Sequence, residues 1–221
     1  MRSSGWHLQC VCETTPEALP QKDNAVGLDM GIRYLVAESL GHIIAHPKHA
    51  RKTAKRLAKA QKKQAKCKKG SIRHKKARKQ IARIHEHIAN QRKDTLHKAS
   101  RHYVDGYQTI AIEDLKVANM VRNHCLAFAI ADASWGMFRQ YLEAKAESAG
   151  RQVIAVRPHY TSQKCSSCGG YVEKSRSRRT HVCPFCGYLA DRDENAARNI
   201  LQRGVAACWS GRGLRRAEER A

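Results

Sequence analysis

The chain has 221 residues, which is enough for one well-buried domain with a small additional unit but too few for several independent cores. Its 42 lysines and arginines outnumber 19 acidic residues, giving a net charge of +23, so nucleic acid is the expected partner. No apolar run is long enough to span a bilayer and the N-terminus lacks the apolar core of a signal peptide, which predicts a cytoplasmic protein with no membrane partner.

The N-terminal part of the chain predicts strands. Residues 6–13 (WHLQCVCE) alternate as a strand and PEALP is a linker, so 1–23 form a short N-terminal strand and linker. Residues 25–47 predict a meander of three strands joined by glycine-containing turns. In the first of these, VGLDMGI, Asp29 interrupts an apolar run. Because an unpaired buried charge costs on the order of several kcal/mol, Asp29 lies either at a turn or opposite a cation.

The basic charge is concentrated in residues 48–101, which contain 21 lysines and arginines against two acids, a net +19. Isoleucines at helical spacing and a turn at 68–71 (KKGS) predict a hairpin of two long helices over 48–103. Contacts of lysine and arginine with phosphates release counterions, so the hairpin is expected to bind nucleic-acid backbones without reading sequence. The alternative is a solvated pair of surface helices.

The remaining segments complete the fold class. Residues 107–115 predict a buried strand, 134–150 a helix ending at Gly150, and 151–158 another strand. The order of three strands, helices, strand, helix and strand predicts an α/β fold with a mixed sheet. Residues 205–221 are expected to form a basic tail.

The cysteines predict a zinc ribbon. Nine cysteines are an odd number in a chain without an export signal, which favours metal ligation over disulfides. CSSCGG (165–170) and CPFCGY (183–188) are two C-x2-C pairs separated by 14 residues, each followed by glycine, as in zinc knuckles. Four thiolates fill a tetrahedral zinc site, so the metal is predicted to be structural; the alternative is four unrelated buried cysteines. The predicted ligands are Cys165, Cys168, Cys183 and Cys186.

The segment ADRDENAARNIL (190–201) predicts a helix that begins with three acidic residues. Its apolar face is centred close to Asp193, whereas Asp191 lies nearly opposite. We therefore expect Asp191 to cap the helix with Glu194 completing the cap, and Asp193 to point into the protein. Alternatively, all three acids are there only because negative side chains interact favourably with the positive N-terminal end of the helix dipole. This alternative leaves the direction of Asp193 unexplained.

A third inward carboxylate is Glu113, which shares a strand face with Ala111 just as Asp29 shares one with Gly27. Taken singly, Asp29 is explained as a turn residue and Glu113 as a helix cap. Together with Asp193 they predict three converging carboxylates, which suit hard divalent cations such as Mg²⁺ or Mn²⁺. Two such ions can activate a water and stabilise the leaving oxygen in phosphodiester hydrolysis.

These motifs carry a family resemblance: VGLDMGI, AIEDLKVANM, SQKCSSCG, CPFCG and DRDENAARNIL together resemble the C-terminal half of the TnpB proteins of insertion sequences. The resemblance covers roughly residues 24–202. It implies a RuvC-like nuclease domain of RNase H fold (24–160 and 189–204) interrupted by a zinc ribbon (161–188), in an RNA-guided DNA endonuclease related to type V CRISPR effectors. It also implies DNA and guide RNA as partners, Asp29, Glu113 and Asp193 as catalytic carboxylates, and the four paired cysteines as zinc ligands.

Three functions remain open. The first is a transposon-associated, magnesium-dependent endonuclease of the TnpB type; the second is a nucleic-acid-binding relic or regulator that does not cut; the third is a transposase that joins DNA strands. Family members generally carry wedge and recognition regions before this half. Here only WHLQCVCE precedes the nuclease, so a truncated copy or a natural nuclease-half protein is expected.

Overall fold

A computed structural model describes residues 8–13, 15–175 and 178–209. The helices and strands follow one another along the chain as β1 Ala25–Met30, β2 Tyr34–Glu38, β3 Ile43–Ala45, α1 His49–Ala65, α2 Ile72–Gly106, β4 Thr109–Glu113, α3 Val117–Met120, α4 His124–Ala133, α5 Trp135–Ser148, β5 Gln152–Val156, β6 Thr180–Val182, β7 Leu189–Asp191 and α6 Arg192–Trp209.

The main sheet has five strands in the order β3-β2-β1-β4-β5. Strands β1, β4 and β5 run parallel, whereas β2 and β3 pair antiparallel at one edge. The predicted α/β fold with a mixed sheet is therefore confirmed. In the centre, β1 and β4 are in register with Gly27 beside Ala111 and Leu28 beside Ile112.

One face of this sheet carries the main hydrophobic core. Leu28 of β1 and Ile112 of β4 are fully buried on it, packed in one cluster with Tyr103 of α2 and Phe138 of α5. Tyr103 donates a hydrogen bond of 3.0 Å to the buried carboxylate of Glu38 on β2. Because side chains alternate along a strand, the residues between these apolar ones point to the opposite face.

The opposite face is covered by α6, which approaches the sheet unusually closely. A methyl group at Gly27 would lie 2.1 Å from the carbonyl oxygen of Ala197, and one at Gly204 would lie 2.5 Å from Cβ of Ala111. Larger side chains at these positions would push the helix away from the sheet. The small residues on this face are therefore explained by helix packing.

The predicted basic hairpin is formed by α1 and α2, with α2 continuing to Gly106. Its turn ends at Ser71, whose side chain accepts a hydrogen bond of 3.1 Å from the amide of His74 and so caps α2. The start of α1 is instead capped by a residue from another element. Asp132 of α4 accepts from the amides of Ala50 at 3.1 Å and Arg51 at 3.5 Å.

Three details differ from the sequence predictions. Residues 8–13 are exposed and form no strand, because no strand in the described part of the chain pairs with them; residues 6 and 7 lie outside the described residues. Residues 205–209, predicted as part of the tail, continue α6, and the rest of the predicted tail lies outside the described residues. Helices α3 and α4 were not predicted.

In the part of the chain described, no helix has the length and apolar character to cross a membrane.

Candidate active site and metal centre

Asp29 and Glu113 stand at the carboxyl ends of the two central parallel strands. The register that places Gly27 beside Ala111 places Asp29 next to Glu113, on the sheet face covered by α6. Glu113 is only 7% exposed, and Asp29 is half-buried. Both predicted inward carboxylates therefore lie where the sheet meets the start of α6.

Asp193 lies in the first turn of α6 and is 8% exposed, so it points inward as predicted. The carboxylate of Asp191 accepts a hydrogen bond of 2.8 Å from the amide of Asp193, which confirms that Asp191 caps the helix. Glu194 does not complete a capping pair, because its carboxylate accepts a hydrogen bond of 2.6 Å from Arg198 one turn later.

Two arginines flank the Asp193 carboxylate. Arg192 donates to one oxygen at 2.8 Å, and Arg179 approaches the other at 3.6 Å. Arg192 is the neighbouring residue in α6, whereas Arg179 comes from the segment before β6. These contacts fix the orientation of the carboxylate and offset part of its charge.

The pKa of the Asp29 carboxyl is raised well above its ordinary value. Burial is the largest cause, followed by the negative charges of Glu113 and Asp193, while the positive charge of Arg192 opposes them. The negative charge of Asp191 makes a smaller contribution in the same direction as those of Glu113 and Asp193. The three carboxylates therefore act on one another electrostatically, and a cation placed among them would relieve this repulsion.

Burial also raises the pKa of Glu113, although two groups oppose it. The hydroxyl of Thr161 donates to its carboxylate at 2.6 Å, and the positive charge of Arg203 acts in the same direction. Neither residue was predicted from the sequence. Thr161 lies in a loop whose conformation has no periodic signal, while Arg203 lies three turns into α6.

Two buried asparagines of α6, also missed, attach the helix to the segment that enters the first cysteine pair. Asn195 donates to the carbonyl of Lys164 at 2.8 Å and accepts from the amide of Ser166 at 2.9 Å. Asn199 donates to the carbonyl of Thr161 at 2.8 Å. Their spacing of four residues in NAARN is the signal that could have found them, because it places both on one helix face.

The four cysteines predicted as zinc ligands lie together. Their sulfur atoms are all within 4.8 Å of one another, with 3.7 Å between Cys165 and Cys186 and 3.6 Å between Cys168 and Cys183. Zinc–sulfur bonds of about 2.3 Å in a tetrahedron separate the sulfurs by about 3.8 Å. The cluster therefore fits a zinc ribbon without rearrangement. Among the described residues, it is the only group of three or more such ligands this close together, so the three carboxylates are more widely spaced.

The two cysteine pairs have the same backbone geometry. In each, the glycine after the second cysteine has a positive φ, 74° at Gly169 and 71° at Gly187. Its amide donates to the carbonyl of the first cysteine of the pair, at 2.9 Å to Cys165 and 3.0 Å to Cys183. Glycine is favoured at this position because a side chain would strain a left-handed backbone.

One thiol of the cluster ionises readily. Burial opposes ionisation of Cys183, but hydrogen bonds from the amides of Phe185 and Cys186 and from neighbouring thiols outweigh it, lowering the pKa of Cys183 to about 7. Cys168, whose sulfur lies 3.6 Å from that of Cys183, behaves oppositely. The pKa of Cys168 is raised to about 12, although the Gly170 amide favours its thiolate. A cation is what would allow all four sulfurs to be thiolates together.

Two family models match the chain in succession. Residues 8–124 match OrfB_IS605, described as a probable transposase, and residues 135–200 match the Cas12f1-like TNB domain. The first match alone covers more than half of the chain. The second contains both cysteine pairs and Asp193.

Curated relatives agree with these matches. The chain is 43% identical over 216 residues to the "Putative RNA-guided DNA endonuclease" of Streptomyces pristinaespiralis, covering 97% of this chain and 54% of that protein. It is 37% identical to the protein of the same description, InsQ, of Escherichia coli (strain K12), covering 86% and 53%. It is 31% identical to the CRISPR-associated endodeoxyribonuclease Cas12f1 of Sulfoacidibacillus thermotolerans, covering 90% and 50%. The chain thus spans about half the length of these relatives.

Solved structures show the same fold. A chain in the cryo-EM structure of a CRISPR-Cas12f ternary complex superposes with a TM-score of 0.62 at 20% identity, covering 86% of this chain and 40% of that one. The Cas12f1-sgRNA-target DNA complex gives a TM-score of 0.58 at 18% identity, covering 84% and 51%. The fold agrees with the family model over residues 8–124 and with the curated relatives, which show that the chain belongs to the TnpB (OrfB) family of transposon-encoded proteins.

Proposed function

We propose that the chain is a metal-dependent DNA endonuclease of the TnpB type, in which Asp29, Glu113 and Asp193 bind Mg²⁺ on a RuvC-like sheet. The observation that carries this proposal is the electrostatic clustering of three carboxylates from β1, β4 and α6, centred on Asp29. Magnesium is bound in proteins by one or two carboxylates together with waters and substrate phosphates, which suits such a group of carboxylates. Mn²⁺ is expected to substitute for it.

Each residue of the site has a separate task. When bound, the magnesium ions supply an activated water and stabilise the oxygen that leaves the cleaved phosphate. Thr161 holds the Glu113 carboxylate in one orientation, and Arg192 does the same for Asp193. Asp29, Glu113 and Asp193 are the residues that would hold the magnesium ions, and their carboxylates are more widely spaced than the four cysteine sulfurs.

Nucleic-acid partners follow from the charge and from the relatives. The hairpin of α1 and α2 carries most of the net charge of +23 and suits phosphate backbones. The structural neighbours include a complex of Cas12f1 with sgRNA and target DNA. We therefore propose target DNA and a guide RNA as partners of this chain.

The test is to replace each carboxylate by alanine and to assay single-stranded and duplex DNA with and without Mg²⁺. Asp29→Ala, Glu113→Ala and Asp193→Ala should abolish cutting and leave DNA binding nearly unchanged, because the binding charge lies in the hairpin. Asp191→Ala is the matched control: it removes a helix cap worth about 1 kcal/mol and should keep most of the activity. Equal loss of activity from Asp191→Ala and Asp193→Ala would contradict the assignment.

A second function is favoured by the separation of binding charge from the carboxylates, since the hairpin can bind nucleic acid without catalysis. If the unaltered chain cuts no DNA with Mg²⁺ or Mn²⁺, even with a candidate guide RNA, it is a non-cleaving binding protein. Product analysis separates hydrolysis from joining of DNA strands, because only the latter links substrate ends covalently.

We also infer that Cys165, Cys168, Cys183 and Cys186 bind one structural zinc ion. The sulfur spacing supports this, and four thiolates leave no open coordination position for chemistry. Metal analysis of protein purified without chelator should return about one zinc per chain. Cys186→Ser should release the zinc and loosen the ribbon while the main sheet stays folded; full zinc content in Cys186→Ser would contradict the ligand set.

A further inference from the structure

A pocket of about 570 Å³ opens next to the candidate active site, between the loop that follows β5 and the middle of α6. Two contacts connect it with Glu113. Thr161, which follows Tyr160 in the loop, donates to the Glu113 carboxylate, and the charge of Arg203 acts on the same group. The pocket is lined by Arg157, His159, Tyr160, Lys164 and Arg203.

The loop that forms the pocket is held rigidly to α6. One guanidinium nitrogen of Arg203 donates to the carbonyls of Arg157 at 2.8 Å and His159 at 2.7 Å. Four residues earlier in the same helix, Asn199 donates a hydrogen bond of 2.8 Å to the carbonyl of Thr161. The pocket is therefore positioned by the same helix that carries Asp193.

Tyr160 is held in a costly backbone conformation with its ring towards solvent. Its φ is 59°, in the left-handed region that costs a residue with a side chain roughly 1–2 kcal/mol. The side chain is nevertheless 56% exposed, so burial of the ring does not compensate for this cost. The ring of Tyr171 meets it edge-on, at 5.7 Å and 79°, rather than stacking on it. Strained residues of this kind are often functional.

The lining combines an aromatic ring with positive charge. Three of the five lining residues are arginine or lysine, and none is acidic. Arg157 and Lys164 are exposed, and Arg203 is half-buried. An aromatic face beside several cations is the arrangement with which proteins bind single-stranded nucleic acid, through stacking on the base and contacts with the phosphate.

We propose that this pocket binds one nucleotide of the DNA strand that the active site cuts, with its base stacked on Tyr160 and its phosphate held by Arg157, Lys164 and Arg203. The inference rests on the proposed nuclease function, because the pocket adjoins Glu113. Tyr160 is thus a positioning residue: it fixes which phosphate of a single strand reaches the carboxylates.

The test uses single-stranded DNA oligonucleotides that carry the photoreactive base 5-iododeoxyuridine at successive positions. Irradiation of the full chain without added magnesium should give a cross-link that mass spectrometry places on Tyr160. Tyr160→Ala should lower the cross-link yield about tenfold, because stacking is lost, whereas Tyr160→Phe should retain it. Phe128→Ala is the matched control, since Phe128 is an aromatic residue of similar exposure, 58%, on α4.

Each outcome decides the matter. The proposal that the pocket binds DNA is overturned by equal cross-link yields from the unaltered chain and Tyr160→Ala. It is also overturned by a cross-link that forms with single-stranded RNA but not with DNA. A cleavage assay on the same oligonucleotides tests the proposed function separately. Cross-linking through Tyr160 without cutting in magnesium would support the pocket and contradict the nuclease function. Cutting without the cross-link would support the nuclease function and contradict the pocket.

Discussion

At the scale of single residues, Asp29 is the carboxylate whose ionised form the folded site disfavours. Its carboxylate shares its surroundings with two other acids, and its pKa is raised by burial and by their charges. A group whose ionised form is disfavoured in the folded protein destabilises that fold wherever it is ionised. A cation bound beside Asp29 would remove this cost, which is the role proposed for magnesium.

This leads to a prediction for Asp29→Asn in magnesium-free buffer. The folded pKa lies above the unfolded one, so the folded chain binds more protons between the two values and stability falls as pH rises through that window. At neutral pH the variant should have a higher thermal midpoint than the unaltered chain. At a pH below the unfolded pKa of 3.8, where Asp29 is protonated in both states, the difference should vanish.

Two controls accompany the thermal melts. Magnesium should raise the midpoint of the unaltered chain and have a smaller effect on Asp29→Asn, since a ligand is missing. Asp191→Asn carries the same change in charge, but Asp191 contributes least among the acids that raise the pKa of Asp29, so this variant should be stabilised less than Asp29→Asn. A lower midpoint for Asp29→Asn at neutral pH would show that the carboxylates do not repel one another as inferred.

Sequence reasoning identified the directions of Asp29, Glu113 and Asp193 because alternation in a strand and periodicity in a helix fix where a side chain points. It failed for Thr161, whose hydroxyl reaches Glu113 from a loop without periodicity. It also failed for Glu194, because an arginine one turn later competes for its carboxylate. Which of several polar partners a side chain chooses depends on tertiary distances.

At the scale of elements, α6 organises the site. It presents Asp193 at its first turn, packs against Gly27 and Ala111 in its middle, and fixes the nucleotide pocket through Arg203. Because a methyl group at Gly27 would lie 2.1 Å from the carbonyl oxygen of Ala197, the close approach of α6 to β1 depends on that glycine. Sequence reasoning noted that Gly27 and Ala111 share strand faces with the carboxylates, but it did not predict that a helix packs closely against them.

The connection of the hairpin to the sheet domain depends on Asp132. This nearly buried carboxylate caps α1 and pairs with Arg92 of α2 at 3.3 Å, joining both helices to α4. Asp132→Ala should cost about 1–2 kcal/mol, as loss of a helix cap does, and should accelerate amide hydrogen exchange in the first turn of α1. Asp94→Ala, which removes an exposed pair with Lys98, is the control and should change neither. Unaltered exchange in Asp132→Ala would show that the cap does not hold the hairpin.

Helices and strands whose apolar residues recur at regular spacing were predicted, whereas elements without such spacing were not. The three meander strands, the hairpin, β4, α5 and β5 all follow regular spacing of apolar residues. Helix α4 (HCLAFAIADA) is apolar on nearly every side at its centre, so no face stands out. Residues 8–13 have the alternation of a strand but lack a partner strand, and alternation alone does not form a sheet.

At the scale of the whole molecule, most of the positive charge lies in the hairpin rather than beside the inward acids. The inward acids lie between the sheet and α6, whereas residues 48–101 carry a net +19. Part of that charge lines a groove of about 660 Å³ between α1 and α2. The groove contains four exposed cations, Arg56, Lys76, Lys79 and Arg83.

The last prediction is that backbone binding is concentrated in this groove rather than spread over the hairpin. Replacing its four cations by glutamine should lower the slope of log affinity against log salt by as much as about 3.6 for duplex DNA, since each lost phosphate contact removes about 0.9. The matched control replaces four exposed lysines at the hairpin turn by glutamine: Lys62, Lys63, Lys68 and Lys69. Both variants lose the same charge, so DNA binding should weaken equally in both if it depends only on the overall positive charge of the hairpin. A larger change in slope for the groove variant, measured by titrating DNA at several salt concentrations, assigns the phosphate contacts to the groove, and equal changes would refute that assignment.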